Sequence, residues 1–293
     1  MSQDAYVLIT PAFNEVHRLP QTIESVLNQT VRPLRWILIS DGSNDGTDGI
    51  MKSWEARVDL ISYIRREKDP DVSGFKSKVA AIQEAYTNLH AISFEYVGIL
   101  DADITLTPTY YEQVITKFKR NPLLGISGGF IFEQHKERFE SRPANTTRSV
   151  AGGIQLFRRY CYESIGGHQS MPHGGEDWLC EIMARKKGWE VISFRDIVAF
   201  HHNPSGAKRG ALKDAIRQGK MDYSVGSHPL FELIKCVRRL QDSPFGLRAL
   251  LRLLGFTCSA IKGARKDVSV EVVDYLRREQ MHRLRMYLHN PRQ

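Results

Sequence analysis

The sequence places carboxylates beside short apolar runs and glycine turns. The clearest group is Asp101-Ala102-Asp103, which follows the apolar run Tyr96–Leu100. Because side chains at positions i and i+2 point to the same side of a strand, we expect both carboxylates to face one way. Their mutual repulsion favours a hard divalent cation such as Mg²⁺ or Mn²⁺, which would also coordinate a diphosphate. The pattern therefore favours a metal site, although such pairs also cap turns and helices.

Asp41 ends a second apolar run, Trp36–Ser40, and precedes a dense turn cluster. A carboxylate at the end of a buried strand can accept a hydrogen bond from a ribose hydroxyl or a base N–H. An Asp in an Asp-Gly pair can also serve the turn alone. Asp41 is therefore a candidate nucleoside ligand, with a turn-forming role as the alternative.

Glu176 and Asp177 form the third acidic group, and they follow the pair Gly174-Gly175. A carboxylate that a glycine turn presents at the start of a helix can take a proton from an incoming hydroxyl. The same carboxylates could instead cap that helix and interact with its dipole. The sequence thus offers a candidate general base in addition to a candidate metal site.

The elements that must position these residues alternate between strand and helix. Apolar β-branched runs alternate with segments of helical spacing at Tyr6–Thr10, Leu19–Leu27, Trp36–Ser40, Thr47–Trp54, Leu60–Arg65, Lys78–Leu89 and Tyr96–Leu100. This alternation predicts an α/β fold with a Rossmann-like, mostly parallel central sheet flanked by helices. Ligands of such sheets bind beyond the carboxyl ends of the strands, where Asp41 and Asp101 fall.

The pattern changes beyond Asp103. We predict further elements in the order helix, strand, polar loop, strand, helix, helix and strand, at Pro108–Arg120, Gly125–Phe132, Glu140–Arg148, Ile154–Phe157, Arg159–Ile165, Asp177–Lys187 and Val191–Phe200. From Gly206 onward the chain is basic and helical in pattern, which predicts a helical extension.

Four motifs together resemble a known family. They are Pro11-Ala12-Phe13-Asn14-Glu15, Asp41-Gly42-Ser43-Asn44-Asp45-Gly46-Thr47, Asp101-Ala102-Asp103 and Gly175-Glu176-Asp177. Their order and approximate spacing resemble those of family-2 glycosyltransferases with the GT-A fold. The resemblance implies an enzyme that transfers a sugar from a nucleoside-diphosphate sugar to an acceptor hydroxyl, with inversion and with Mn²⁺ or Mg²⁺ as cofactor.

The resemblance also implies roles for individual residues on the donor side. Lys78 would approach the diphosphate, Asp101 would contact the ribose or donor sugar, and Asp103 would bind the metal. His201 matches a position near the metal or diphosphate in relatives; adjacent His202 competes for that role, and a strand-end histidine can also be structural. The remaining donor residues would be Pro11, Ala12, Phe13 and Glu15 at the base pocket, Asp41 at the nucleoside, Ala102, and Gly152 and Gly153 beneath the donor sugar.

On the acceptor side, the resemblance implies that Asp177 is the general base, with Glu176 beside it in the acceptor pocket. We accordingly expect a catalytic domain over 1–205, with a nucleotide-binding part over 1–104 and an acceptor-binding part over 105–205. The basic extension would cover 206–293. A UDP-sugar is the favoured donor and a saccharide or lipid-linked molecule the expected acceptor, in polysaccharide or glycolipid assembly.

Composition and charge limit the expected partners and the expected cellular location. The formal net charge of +8 suggests an anionic partner, and no nucleic-acid module or aromatic stacking pattern accompanies the charge. The four scattered cysteines indicate neither a disulfide framework nor a zinc site. The start of the chain lacks a signal-peptide layout, and no apolar run is long enough to span a membrane. We therefore expect a cytoplasmic protein, with peripheral association at the inner face of the membrane left open.

The extension contains an apolar stretch, Leu247–Leu254, interrupted by Arg248 and Arg252. Arginines four residues apart share one helical face and leave a broad apolar surface on the rest. One interpretation is an interfacial helix on an anionic membrane surface. The other is a helix packed on the catalytic core with its arginines in solvent.

Two other functions compete with transfer. A sugar nucleotidyltransferase shares the nucleotide-binding sheet and the acidic site, but it would carry a glycine-rich basic loop after the first strand to hold a triphosphate. This chain has Pro11-Ala12-Phe13-Asn14-Glu15 there. A nucleotide-sugar-binding subunit without transfer activity is the non-enzymatic alternative, and it predicts donor binding without turnover.

Overall fold

The computed structural model describes residues 4–69, 72, 74–203, 210–240 and 246–289. Its contacts divide the chain into two compact units. The first unit comprises residues 1–170 and 176–205, and the second comprises residues 171–175 and 206–293.

The first unit is built on a single mixed sheet. Its strands are β1 (Tyr6–Ala12), β2 (Arg35–Asp41), β3 (Ile61–Arg66), β4 (Tyr96–Ile99), β5 (Ile104–Leu106), β6 (Leu124–His135), β7 (Arg138–Ser141), β8 (Leu156–Arg158) and β9 (Glu190–His201). The strand order is β3-β2-β1-β4-β8-β6-β9-β5, with β7 paired to β6. The first four strands are parallel, and β6 is parallel to β9, whereas β8, β5 and β7 run antiparallel to their neighbours. The predicted α/β fold is confirmed.

Helices flank this sheet because their apolar residues recur on one face. They are α1 (Leu19–Leu27), α2 (Thr47–Glu55), α3 (Phe75–Thr87), α4 (Tyr110–Arg120), α5 (Arg159–Ser164) and α6 (Glu176–Lys186), with a short 3₁₀ turn at Gly152–Ile154. In α1 the buried residues include Leu19, Ile23 and Val26, at the predicted helical spacing. The helices thus bury apolar faces while leaving the carboxyl edge of the parallel strands to the loops.

Strand register brings selected residues to that edge. Ala12 pairs with Ser40 at the ends of β1 and β2, and Asp41 pairs with Arg66 at the ends of β2 and β3. β2 is held against β1 by its side chains too, since the Trp36 indole N–H donates to Thr10 Oγ1 at 3.0 Å. Residues that follow these strands therefore meet at one edge of the sheet.

Local predictions fail where an element lacks an apolar pattern or is very short. The predicted polar loop over Glu140–Arg148 is wrong at its start, because β7 extends to Ser141 and pairs with β6 despite exposing all four of its residues. The three-residue strand β5 was not predicted. β4 ends at Ile99, so strand alternation does not orient Asp101 and Asp103, which lie in the turn between β4 and β5.

The second unit consists of helices α7 (Ala211–Val225), α8 (Pro229–Arg238), α9 (Leu247–Ile261) and α10 (Val270–His289). Helices α7 and α9 approach closely at two glycines. A Cβ atom on Gly219 would overlap the carbonyl oxygen of Arg252, and one on Gly255 would overlap the carbonyl oxygen of Ile216. Larger side chains at these two positions would force the helices apart. In the part of the chain that the structure describes, no helix is both long and apolar enough to cross a bilayer.

A buried group of charges joins three of these helices. Arg252 Nε lies 2.9 Å from Glu232 Oε1, and the Arg252 guanidinium also pairs with Asp222. Lys235 Nζ lies 2.9 Å from Asp222 Oδ1 and 3.0 Å from Glu232 Oε2. Burial acts to raise the pKa of Asp222, but the charges of Lys235 and Arg252 outweigh it and lower that pKa. The prediction that the α9 arginines lie in solvent is therefore wrong for Arg252, whose side chain is 7% exposed.

Replacing Arg252 by Met is expected to destabilise the second unit by about 3–5 kcal/mol, because Asp222 and Glu232 would stay buried with less compensating charge. Chemical unfolding followed by far-UV circular dichroism would measure the loss. Arg248→Met is the matched control on the same helix, since Arg248 is only partly buried and takes no part in the buried ion pairs described above. Equal shifts of the unfolding midpoint in the two variants would contradict a stabilising role for the cluster.

Candidate active site

Hydrogen bonds join the two loops that follow β1 and β2. The Asn14 N–H donates to Ser43 Oγ at 3.1 Å, the Asn44 N–H donates to Asn14 Oδ1 at 2.9 Å, and the Glu15 N–H donates to Thr47 Oγ1 at 2.9 Å. Asn14 has a φ of 57°, a left-handed conformation that Asn adopts more readily than most residues. The loops thus form one fixed rim at the carboxyl edge of the sheet.

Asp41 is held at this rim by an arginine that the sequence analysis missed. Arg66 Nη1 lies 2.5 Å from Asp41 Oδ1 and 3.1 Å from Ser77 Oγ, at the start of α3. The contact follows from the register of β2 and β3, which aligns Asp41 with Arg66. The available signal was that each of the two predicted strands, Trp36–Ser40 and Leu60–Arg65, is followed by a charged residue, Asp41 and Arg66, of opposite sign. Their pairing makes Asp41 part of a buried, charge-compensated group.

Phe13 lies at the same edge and is 42% exposed. Lys68 Nζ sits 3.4 Å from the centroid of its ring, a cation–π arrangement. Gly42, with a φ of 73°, makes room for this lysine, because a Cβ atom there would lie 2.7 Å from Lys68 Cβ. In contrast, Pro11 and Ala12 are buried as the last residues of β1. Of these predicted base-pocket residues, Phe13 therefore offers the larger accessible surface.

Lys78 pairs with one of the acidic residues and lies within electrostatic reach of two others. Its Nζ lies 2.6 Å from Asp101 Oδ1, in the turn that follows β4. Burial acts to lower the pKa of Lys78, but the charges of Asp101, Glu176 and Asp177 outweigh it and raise that pKa well above its ordinary value. Lys78 therefore carries a positive charge at neutral pH, where it is suited to an anionic ligand.

Gly152 and Gly153 lie directly against two carboxylates. A Cβ atom on Gly152 would be 2.5 Å from Asp177 Oδ2, and one on Gly153 would be 2.7 Å from Asp101 Oδ2. The backbone fixes the same contact, since the Asp101 N–H donates to the Gly153 carbonyl oxygen at 3.0 Å. The glycine pair thus brings Asp101 and Asp177 to the two sides of one short segment.

Asp177 faces an open cavity of about 130 Å³. Its Oδ1 accepts from the Trp178 N–H at 2.8 Å, and its side chain is only partly buried. The cavity is lined by Arg142, Ala144, Asn145, Ser149, Val150, Ala151, Asp177 and Ser193. The loop predicted as merely polar, over 140–148, therefore supplies three of the eight residues that line the cavity beside the candidate base.

Glu176 differs from its neighbour in burial and in charge state. It is 5% exposed, and its Oε2 lies buried without a hydrogen-bond partner among the described residues. Burial and the charge of Asp177 raise its pKa to about 7, against the opposing effect of Lys78. The two carboxylates at the start of α6 are thus inequivalent: Asp177 reaches the cavity, whereas Glu176 lies beneath the surface.

Asp103 is bonded to His201 and Asn203. Its Oδ2 lies 3.3 Å from His201 Nε2 and accepts from Asn203 Nδ2 at 3.1 Å. Burial acts to lower the pKa of His201, but the hydrogen bond with Asp103 and the nearby carboxylate of Glu133, 3.9 Å away, raise it to about 9. His202 points elsewhere, with Nε2 2.9 Å from Thr105 Oγ1. Of the two histidines, His201 is therefore the one whose ring meets Asp103.

The pair Asp103 and His201 fits a divalent cation as a partial ligand set. Adjacent ligands of an octahedral ion at about 2.1 Å stand about 3 Å apart, close to the observed spacing of these two side chains. Among the described residues, no three His, Cys, Asp or Glu side chains form a complete site. Mg²⁺ in enzymes is usually held by one or two carboxylates together with substrate phosphates and water, so an incomplete protein set suits this chemistry.

The structure thus gathers most of the predicted site along one edge. Lys78 pairs with Asp101, its charge also acts on Asp103, and Gly152 and Gly153 touch Asp177 and Asp101. Ala102 is buried, and its carbonyl oxygen accepts from Thr22 Oγ1 at 2.8 Å. The edge has a charged side with Asp41, Lys78 and Asp103 and an open cavity with Asp177.

Comparison with solved structures defines the class of this fold. A mannosyltransferase from Pyrobaculum calidifontis, solved in complex with GDP-Man and Mn²⁺, matches with a TM-score of 0.56 and 17% identity, over 98% of this chain and 81% of that chain. This likeness confirms the predicted GT-A-type fold.

Residues 7–187 match the family described as Glycosyl transferase family 2. This is more than half of the chain, which therefore belongs to that family.

Curated relatives match over shorter segments. The poly-beta-1,6-N-acetyl-D-glucosamine synthase of Staphylococcus epidermidis is 31% identical over 117 residues, which are 40% of this chain and 26% of that protein. The glucosyl-dolichyl phosphate glucuronosyltransferase of Haloferax volcanii is 23% identical over 125 residues, which are 43% of this chain and 37% of that protein. The matched segments therefore span only about a quarter to a third of these relatives.

Proposed function

We propose that this glycosyltransferase moves a sugar from a nucleoside-diphosphate sugar to an acceptor hydroxyl, with inversion and with a divalent cation. The observation that carries the proposal is the glycine pair Gly152-Gly153, which touches Asp101 on one side and Asp177 on the other. A donor held beside Asp101 would then present its anomeric carbon to a hydroxyl beside Asp177. Such an arrangement suits attack in one step from the face opposite the leaving group.

Each end of the site has a separate task. Phe13, Glu15 and Asp41 at the rim would hold the nucleoside. Lys78 would place its charge at the diphosphate, as its position beside Asp101 allows.

Asp103 and His201 would hold a Mn²⁺ or Mg²⁺ ion. When bound, the cation would supply positive charge to the departing diphosphate. Binding of the cation would displace the proton that His201 otherwise carries at neutral pH. The affinity for the cation is therefore expected to fall as the pH falls.

Asp177 would take the proton of the acceptor hydroxyl in the cavity. Glu176, with its raised pKa, would be partly protonated near pH 7. Its buried position next to Asp177 in the chain would support Asp177 without sharing its access to the acceptor. This division of labour follows from the different burial of the two carboxylates.

The substrates are proposed by class. A UDP-sugar remains the favoured donor, although the Pyrobaculum enzyme was solved with GDP-Man. The names of the staphylococcal and haloarchaeal relatives support a saccharide or a lipid-linked molecule as acceptor, in polysaccharide or glycolipid assembly. Within the proposed catalytic domain over 1–205, residues 1–104 would bind the nucleotide and residues 105–205 the acceptor. The cytoplasmic location stays a prediction.

A thermal-shift screen of nucleoside diphosphates and nucleotide sugars, with and without Mn²⁺, tests the donor and the metal together. At a ligand concentration of about a hundred times Kd, the cognate donor is expected to raise Tm by about 5 °C or more. The shift should require Mn²⁺ or Mg²⁺ for its full size. Nucleoside monophosphates serve as the matched control, because they lack the second phosphate.

Three results separate this proposal from its rivals. Stabilisation by nucleoside triphosphates together with sugar 1-phosphates, and by no nucleotide sugar, would favour a nucleotidyltransferase. Stabilisation by a nucleotide sugar without any hydrolysis or transfer in a product assay would favour a binding subunit. If a nucleotide sugar raises Tm equally with and without a metal chelator, the donor would be supported and the proposed role of the cation in binding would be wrong.

A further inference from the structure

Helices α8 and α9 expose apolar side chains in two regular rows. The row on α8 consists of Leu230, Leu233 and Val237, and it continues with Leu240 just beyond the end of the helix. The row on α9 consists of Leu247, Leu250, Leu254 and Ile261. Spacings of three, four and seven residues place each row on a single helical face. Leu250 is 63% exposed and Ile261 is 85% exposed. These two rows, termed the leucine face, hold eight of the sixteen large apolar side chains that the described residues expose.

Both rows point away from α7. Lys235 of α8 pairs with Asp222 of α7, and Arg252 of α9 pairs with the same carboxylate and with Glu232 of α8. The exposed residues lie on the opposite sides of α8 and α9 from these ion pairs. Each row of the leucine face therefore lies on the side of its helix that the buried ion pairs leave unoccupied.

The surroundings of the leucine face are strongly basic. Lys235, Arg252 and Glu232 belong to the buried cluster. Outside that cluster, residues 229–266 contain six cationic residues, Arg238, Arg239, Arg248, Lys262, Arg265 and Lys266, against one acidic residue, Asp242. Arg238 at the end of α8 and Lys262 after α9 are exposed next to the apolar rows. An amphipathic surface with this charge complements anionic headgroups above an apolar layer.

We propose that the leucine face docks on an anionic lipid bilayer, with its apolar rows at the headgroup boundary. A second copy of this chain is the less favourable occupant, because two identical basic faces would repel each other. A bilayer with anionic lipids attracts the cations and accepts the apolar rows at once. The surface differs from the one predicted from the sequence, since it includes α8 and excludes Arg252.

Sedimentation of the full chain with lipid vesicles tests the proposal without donor or acceptor, so its outcome is independent of transfer. The wild type is expected to bind vesicles of phosphatidylcholine mixed with phosphatidylglycerol, and to bind pure phosphatidylcholine more weakly. Added salt should lower the binding, because it screens the attraction between exposed charges. The double variant Leu250→Gln with Leu254→Gln is expected to reduce the partition coefficient roughly tenfold or more.

The matched control replaces two leucines of the first unit, Leu34→Gln with Leu123→Gln, which are 51% and 58% exposed. This control should bind vesicles like the wild type. Far-UV circular dichroism of each variant verifies that the helices persist. Absence of binding to the anionic vesicles, or equal losses in the two double variants, would overturn the proposal. It would also be overturned if the wild type were a dimer that the leucine-face variant dissociates and that binds no vesicles.

Discussion

The Asp177→Asn variant is expected to lose about 10²–10⁴ in turnover, the usual contribution of a general base. Asn has nearly the same shape, and its side-chain oxygen can still accept from the Trp178 N–H, as Asp177 does at 2.8 Å. The substitution therefore removes the basicity and leaves the backbone in place. Because Asp177 faces the cavity and not the rim around Asp41, donor affinity should change little. Steady-state turnover and donor titration by calorimetry would measure the two effects separately.

Asp196→Asn supplies the control for this experiment. Asp196 lies on β9 with 63% of its side chain exposed and pairs with Lys117, so its loss should leave turnover near the wild-type value. Glu176→Gln provides a second comparison at the site itself. If Glu176→Gln loses most of its turnover while Asp177→Asn remains active, Glu176 would be identified as the general base. Parallel losses of turnover and donor binding in Asp177→Asn would show that Asp177 serves binding instead.

The Asp103→Ala variant is expected to lower turnover by about 10²–10³, since charge supplied by a metal ion is worth several kcal/mol in a transition state. The loss should coincide with the loss of metal-dependent stabilisation by a nucleoside diphosphate. Asp103 is the carboxylate that meets His201 Nε2, at 3.3 Å, so its removal would leave only one of the two proposed protein ligands. Turnover and thermal stability would each be measured across a Mn²⁺ titration.

The losses of turnover caused by metal chelation and by Asp103→Ala should not be additive if both remove the same interaction. EDTA should therefore inactivate the wild type strongly and change the residual turnover of Asp103→Ala very little. His202→Ala is the neighbouring control, because its ring bonds Thr105 and its loss should preserve sensitivity to EDTA. Full additivity of chelator and Asp103→Ala would show that the cation acts at another place.

The parts of the fold that could be predicted are those specified by neighbours in sequence. Helix α1 has the bounds expected from its apolar spacing, and β2 differs from the prediction by one residue at each end. Both have local patterns strong enough to survive any tertiary context. β7 has no such pattern, because it lies at an edge with every residue exposed, so its pairing with β6 decides its structure.

The parts of the site that could not be predicted depend on partners remote in sequence. Arg66 reaches Asp41 only because of the register between β2 and β3, which no single segment determines. Arg252 looks like a surface residue on a helical wheel, yet its partners Asp222 and Glu232 lie thirty and twenty residues away. The positions of Asp101 and Asp177 were expected from their motifs, whereas their meeting at Gly152-Gly153 required the folded chain.

The hydrogen-bonded rim formed by Asn14, Glu15, Ser43 and Thr47 has a consequence for affinity. Ordering a mobile loop around an incoming nucleoside costs conformational entropy, which subtracts from the binding free energy. In this chain the rim is held by its own hydrogen bonds, so part of that cost falls on folding. Nucleoside capture should therefore resemble the docking of two preformed surfaces, and a change of base preference would have to come from side chains mounted on a rigid frame.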